Sequence, residues 1–119
     1  MKLNINKAFT LVEIMIVVLV IAVILAIAIP GYFKSSTTSK KAVCIANMEK
    51  IDSAISQWAL ENHIAAGTAV SSSGEEDIYT NYLKGGKPRC PSGGEYTVHS
   101  VGDSPQVTCS AESEGHELP

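Results

Sequence analysis

The sequence predicts an α+β chain, with a long N-terminal α-helix packed against a small antiparallel β-hairpin. The first half of that helix is expected to be transmembrane and the second half amphipathic. Three observations predict this. Sixteen consecutive residues, Ile14 to Ile29, lack any charged or hydrogen-bonding side chain, and twelve of them are Ile, Leu or Val. Beyond them Cys44, Met48, Ile51, Ile55 and Trp58 recur at spacings of 4, 3, 4 and 3, the period of one helix face. The last third of the chain holds two short alternating runs among turn-forming residues, the pattern of a hairpin.

Taken in order, Phe9 to Ile29 spans twenty-one residues, about 31 Å as a helix and close to the hydrocarbon thickness of a bilayer. Pro30-Gly31 follows. A proline there loses one backbone hydrogen bond and crowds the preceding turn, so physics alone leaves two readings open, a helix end or a kink. On the stripe beyond, Trp58 and Met48 read as core and Cys44 as a buried reduced thiol. Lys50, Asp52, Ser53, Ser56 and Gln57 occupy the other faces. Ile64 to Gly74 reads as a Ser-rich surface loop. Ser73-Gly74-Glu75-Glu76 has capping-box spacing, and Asp77 adds negative charge to the first turn of a short helix through about Leu83. Gly85-Gly86 ends it. Strands are expected over Glu95 to Val101 and Gln106 to Ser110, joined by the turn Gly102-Asp103-Ser104-Pro105.

The net charge is −3, and residues 31–119 carry seven Lys or Arg against eleven Asp or Glu. No basic patch is interleaved with aromatics, which excludes nucleic acid as a main partner. Three cysteines are present; an odd count in an exported chain suggests one pair and one spare thiol. Cys90 and Cys109 lie in the loop-rich end and are the expected disulfide, closing a loop worth roughly 3 kcal/mol. That bridge implies a compartment outside the cytoplasm. Pairing of Cys44 with either of them stays open from sequence.

No catalytic residue, metal or cofactor is predicted. His63, His99 and His116 are scattered, and no Ser, His and Asp form a nucleophile motif. Cys90, His99, Cys109 and His116 are residue types that bind zinc, but they lack paired spacing, and the expected disulfide uses the same sulfurs.

The N-terminus admits three readings. It is a single transmembrane anchor by length. With its basic start and Ala26-Ile27-Ala28 triplet it also fits a secretory signal peptide cut after Ala28. Glu13 argues against both. An acid costs about 2.5 to 3.5 kcal/mol at the centre of a membrane helix, and less near its end. A simple anchor gains nothing from it, whereas an intramembrane carboxylate is a functional candidate by default.

Lys7-Ala8-Phe9-Thr10-Leu11-Val12-Glu13, behind a short basic leader and ahead of the apolar run, resembles the class III signal sequence of type IV prepilins and type II secretion pseudopilins. Ala8 stands where that family usually has Gly. The resemblance implies cleavage between Ala8 and Phe9 by prepilin peptidase and N-methylation of Phe9. It divides the chain into a leader (1–8), a transmembrane and polymerisation helix (9–30) and a small periplasmic or extracellular pilin-like domain (31–119). It also implies a helix that continues through Pro30 and Gly31, from about Phe9 to about Asn62. Glu13 would pair with the Phe9 ammonium of a neighbouring subunit and set the stagger of a homo-oligomeric filament. The implied partners are the peptidase, an inner-membrane assembly platform, minor pilins or pseudopilins, and membrane lipid before assembly. The implied location is the inner membrane, single-pass, and then a periplasmic or surface filament. Major pseudopilins bind calcium, which raises Asp103, Glu112, Glu114 and Glu117 as oxygen donors; without the spacing of a calcium loop they read as a solvated acidic tail. Cys90-Pro91-Ser92-Gly93-Gly94-Glu95-Tyr96-Thr97, with Gly115-His116-Glu117-Leu118-Pro119, is also similar to small pilin-like proteins. The alternatives are a secreted binding domain released by signal peptidase and a membrane-anchored sensor or binding protein.

Overall fold

The computed structural model describes residues 8–112 and 115–119. Most of the expected leader, Met1 to Lys7, and the acidic Glu114 lie outside the described residues. The chain divides into two compact units, Met1–Ser36 and Thr37–Pro119.

Helix α1 runs from Leu11 to Glu61. Its start is set by Thr10, whose Oγ1 accepts a hydrogen bond from the Glu13 N–H at 3.2 Å. Thr10-Leu11-Val12-Glu13 therefore has the spacing of a capping box, a cue the sequence reading passed over. Pro30 lies inside α1, and helix continues on both sides of it. Of the two readings of Pro30-Gly31, the structure takes continuation. In the first unit every described side chain up to Ser35 is exposed, the whole apolar run included.

The second unit has a core of its own. All five stripe residues are buried, together with Ala54 and Ala59 on the same face of α1. After Glu61 the chain turns back through His63, at a positive φ of 55°, and the Ile64 N–H bonds the Ala59 carbonyl at 2.9 Å.

Helix α2 spans Ser72–Asp77 and passes directly into a π-helical turn, Ile78–Tyr82. Ile78 and Tyr79 are buried against the core. The cap differs from expectation. Ser71, not Ser73, accepts the Gly74 N–H, at 3.2 Å, so the helix begins earlier than the predicted capping box. Packing explains the shift: the early start places Gly74 on the Trp58 ring, where a Cβ would meet a ring carbon at 2.9 Å. Trp58 Nε1 also donates to Asp77 Oδ2 at 2.9 Å.

Strands β1 (Tyr96–Val98) and β2 (Val107–Cys109) form an antiparallel pair with Tyr96 opposite Cys109 and Val98 opposite Val107. Both are shorter than predicted, though backbone bonds extend the ladder: His99 N–H reaches the Gln106 carbonyl at 2.7 Å and Ser110 N–H the Glu95 carbonyl at 2.9 Å. A lone hairpin is marginal in water and needs a partner surface. Tyr96, Val107 and Cys109 supply it by joining the same core as the α1 stripe. Buried Gln106 ties the polar edge, donating to Asp52 Oδ1 at 2.8 Å and Ser56 Oγ at 3.3 Å while accepting the Gly102 N–H at 3.0 Å. The chain thus has the α+β, pilin-like arrangement that the sequence predicts.

Candidate functional site

Two places carry chemistry, one in each unit. The first is the head of α1. Ala8 and Phe9 precede the helix and are exposed, so the bond between them lies in non-helical, accessible backbone. Glu13 sits in the first turn, where the positive end of the helix dipole favours a carboxylate. Behind it stands the one helix, among the described residues, that is long and apolar enough to cross a membrane. Ile14 to Ile29 are all exposed within the chain. Such a surface suits lipid, or the apolar flanks of other helices, because it offers no polar group to satisfy.

The second place was not assembled correctly from sequence. Cys44 from α1, Cys90 from the turn before β1, Cys109 at the end of β2 and His116 from the C-terminal tail meet in one buried cluster. Their four ligand atoms all lie within 4.8 Å of one another, and none of the four residues is more than 5 % exposed. Cys44 Sγ is 3.3 Å from Cys109 Sγ, and Cys90 Sγ is 3.5 Å from His116 Nδ1. Tyr96 Oη donates to Cys44 Sγ at 3.5 Å and accepts from Asn47 Nδ2 at 3.2 Å, which fixes the phenol against the cluster.

The structure draws no bond between Cys90 and Cys109, the pair expected to be bridged, and the three sulfurs stand side by side. The hairpin brings Cys109 back beside α1, so its sulfur meets Cys44 as closely as a hydrogen bond allows. His99, placed among the zinc-type residues from sequence, instead pairs its Nε2 with Thr108 Oγ1 at 2.9 Å on the hairpin. Cys44 is the residue that sequence reasoning left out of the set. The available cue was its place on the buried stripe, one helical turn before Met48.

The cluster is electrostatically uneven. Burial pushes the Cys44 thiol up to about 12. Burial also raises Cys90, but hydrogen bonds from the Cys44 thiol, the Ser92 and Gly94 backbone N–H groups and His116 outweigh it and bring Cys90 down to about 7. Cys90-Pro91-Ser92-Gly93-Gly94 is therefore a turn whose amides point at a sulfur and favour its thiolate. Gly94 is required there: a Cβ at that position would sit 2.7 Å from Cys109 Sγ.

Of the other predicted residues, Asp103 Oδ2 accepts the Ser100 N–H at 3.1 Å and so caps its own turn. Glu112 and Glu117 are exposed.

Comparison with known families finds one match: residues 3–29 fit the model of the prokaryotic N-terminal methylation motif. No curated protein and no solved structure matches the chain. The match covers the head of α1 and its apolar run, with Ala8, Phe9 and Glu13 inside it, and leaves the second unit unassigned. What the chain carries, then, is the class III signal of type IV pilin-like precursors, set on the long apolar helix that this signal precedes.

Proposed function

We propose that this chain is a structural subunit of a type IV pilus-like filament, either a type II secretion pseudopilin or a small pilin. The single observation that carries the reading is a methylation motif laid over a helix whose apolar run, Ile14 to Ile29, is exposed. Prepilin peptidase cuts between Ala8 and Phe9 and N-methylates Phe9. The helix is held by inner-membrane lipid until the assembly platform draws it into a bundle with its own copies and minor subunits. The second unit then faces the periplasm or the cell exterior.

The cut leaves Phe9 with an α-ammonium, whose unperturbed pKa is near 7.7–8.0. Methylation keeps the positive charge. Glu13 of one subunit pairs with that ammonium of the next, because in an apolar bundle either charge left alone is costly. The pair fixes axial stagger, as a buried polar residue fixes coiled-coil register. Pro30, which removes one helical hydrogen bond, marks where α1 bends or melts to fit the bundle.

Two measurements test this. Mass spectrometry of the native N-terminus should find methylated Phe9 as the first residue; a start at Ile29 or an uncut Met1 would overturn it. Glu13→Gln keeps a side chain suited to the third position of a capping box and removes only the charge. It should insert and be processed while filament yield falls at least about tenfold, the equivalent of about 1.4 kcal/mol of lost contact. Filaments in normal number would remove the registry role.

A further inference from the structure

We propose that Cys44, Cys90, Cys109 and His116 form a structural zinc site that staples the second unit together. The donor set is three sulfurs and one imidazole, a combination that zinc takes in closed tetrahedral sites. Tetrahedral zinc with bonds of about 2.3 Å to sulfur and 2.0–2.1 Å to nitrogen holds its ligand atoms about 3.4–3.8 Å apart. The observed separations of 3.3 Å for Cys44–Cys109 and 3.5 Å for Cys90–His116 already stand near that edge length. All four residues are buried, which fits a structural centre with no position open to substrate.

The surroundings are built for the set. Gly94 omits the side chain that would collide with Cys109 Sγ. A disulfide would use two of the three sulfurs and leave the third and the imidazole packed against the bridge. Zinc uses all four donors. On binding, each thiol releases its proton to solvent and the imidazole coordinates as the neutral base, so the centre carries one net negative charge. The Tyr96 hydroxyl, within reach of Cys44 Sγ, donates to that charge.

The site also answers a mechanical need. Its ligands come from α1, the turn before β1, the end of β2 and the C-terminal tail, segments joined otherwise by a small core. Small domains of this size generally need a covalent or metal staple, and a metal that binds only the folded chain adds its binding energy to folding.

The test uses the full chain, purified from membranes in detergent with neither reductant nor oxidant added. Elemental analysis should find one zinc per chain. Thiol titration should detect three thiols only after a chelator and denaturant release the metal. Cobalt(II) exchanged for zinc should give the visible and thiolate charge-transfer bands of a tetrahedral site. His116→Ala should weaken zinc binding by more than about 100-fold, beyond what loss of a second-shell partner costs. His116→Cys should restore binding, and His99→Ala should leave it unchanged. Protein that holds no zinc and takes up no cobalt would overturn the proposal. So would a Cys90–Cys109 or Cys44–Cys109 disulfide in chain isolated without added oxidant. Because cysteine variants could fail to fold for other reasons, the metal content and cobalt spectrum of the unaltered chain decide the matter.

Discussion

Single residues decide more here than their neighbours reveal. Tyr79 is an example: its ring is buried in the core. Burial, aided by the nearby negative charge of Glu75, raises its phenol from 10.0 to about 12. The sign follows directly. Below pH 10 both folded and unfolded chains keep the proton, and the contribution to stability is whole. Between pH 10 and about 12 the unfolded chain ionises while the folded one does not, so stability falls as pH rises. Tyr79→Phe removes that term. Its melting temperature should fall less steeply than the parent's across the same interval, as followed by circular dichroism; parallel slopes would show that Tyr79 ionises equally in both states. Nothing in the sequence marks Tyr79 as different from Tyr82. Tyr79 is buried and Tyr82 only partly so, with its hydroxyl donating to Glu61 Oε2 at 2.6 Å. The distinction comes from the turn of helix between them.

At the scale of elements, α1 was the most legible and α2 the least. Helix α1 repeats its own evidence many times: an apolar run, then a stripe of five residues that all proved buried. Its ends lie within two residues of those predicted, Leu11 and Glu61 against Phe9 and Asn62. Helix α2 has six residues and no periodicity to read. Three consecutive serines, Ser71, Ser72 and Ser73, are each chemically able to cap it. Local chemistry could not choose among them; the Trp58 ring against Gly74 did. Ser71→Ala should therefore destabilise the second unit by about 1 kcal/mol, while Ser73→Ala should change it by less than about 0.5 kcal/mol. Urea unfolding of the two variants checks this, and equal losses would return the cap to Ser73. The hairpin is intermediate. Alternation located both strands, but not their lengths, because pairing partners set where a ladder stops.

For the whole molecule, the two units differ in what they bury. Among the described residues the core runs from Cys44 to Cys109, whereas the first unit exposes all its described apolar side chains. A chain cut to residues 37–119 should therefore be soluble without detergent and melt cooperatively. The full chain should partition into the membrane fraction. Aggregation of the truncated chain in reducing, zinc-containing buffer, with no cooperative melt, would show that its core depends on the removed segment. The same contrast explains the proposed filament: the exposed apolar surface of α1 is what a neighbouring copy can cover.

The sequence by itself determined the long helix, its apolar and amphipathic halves, the hairpin and the methylation motif. Each is written locally, in a repeat of 3.6 residues, an alternation of 2, or a contiguous string. Only the tertiary structure decided that Cys44 joins Cys90, Cys109 and His116, and that His99 stays on the hairpin. Cys44 and Cys109 are 65 residues apart in the chain, and no local pattern encodes which side chains meet across such a distance. That choice belongs to how the hairpin and tail pack on the α1 stripe, where shape and burial place four soft donors around one point.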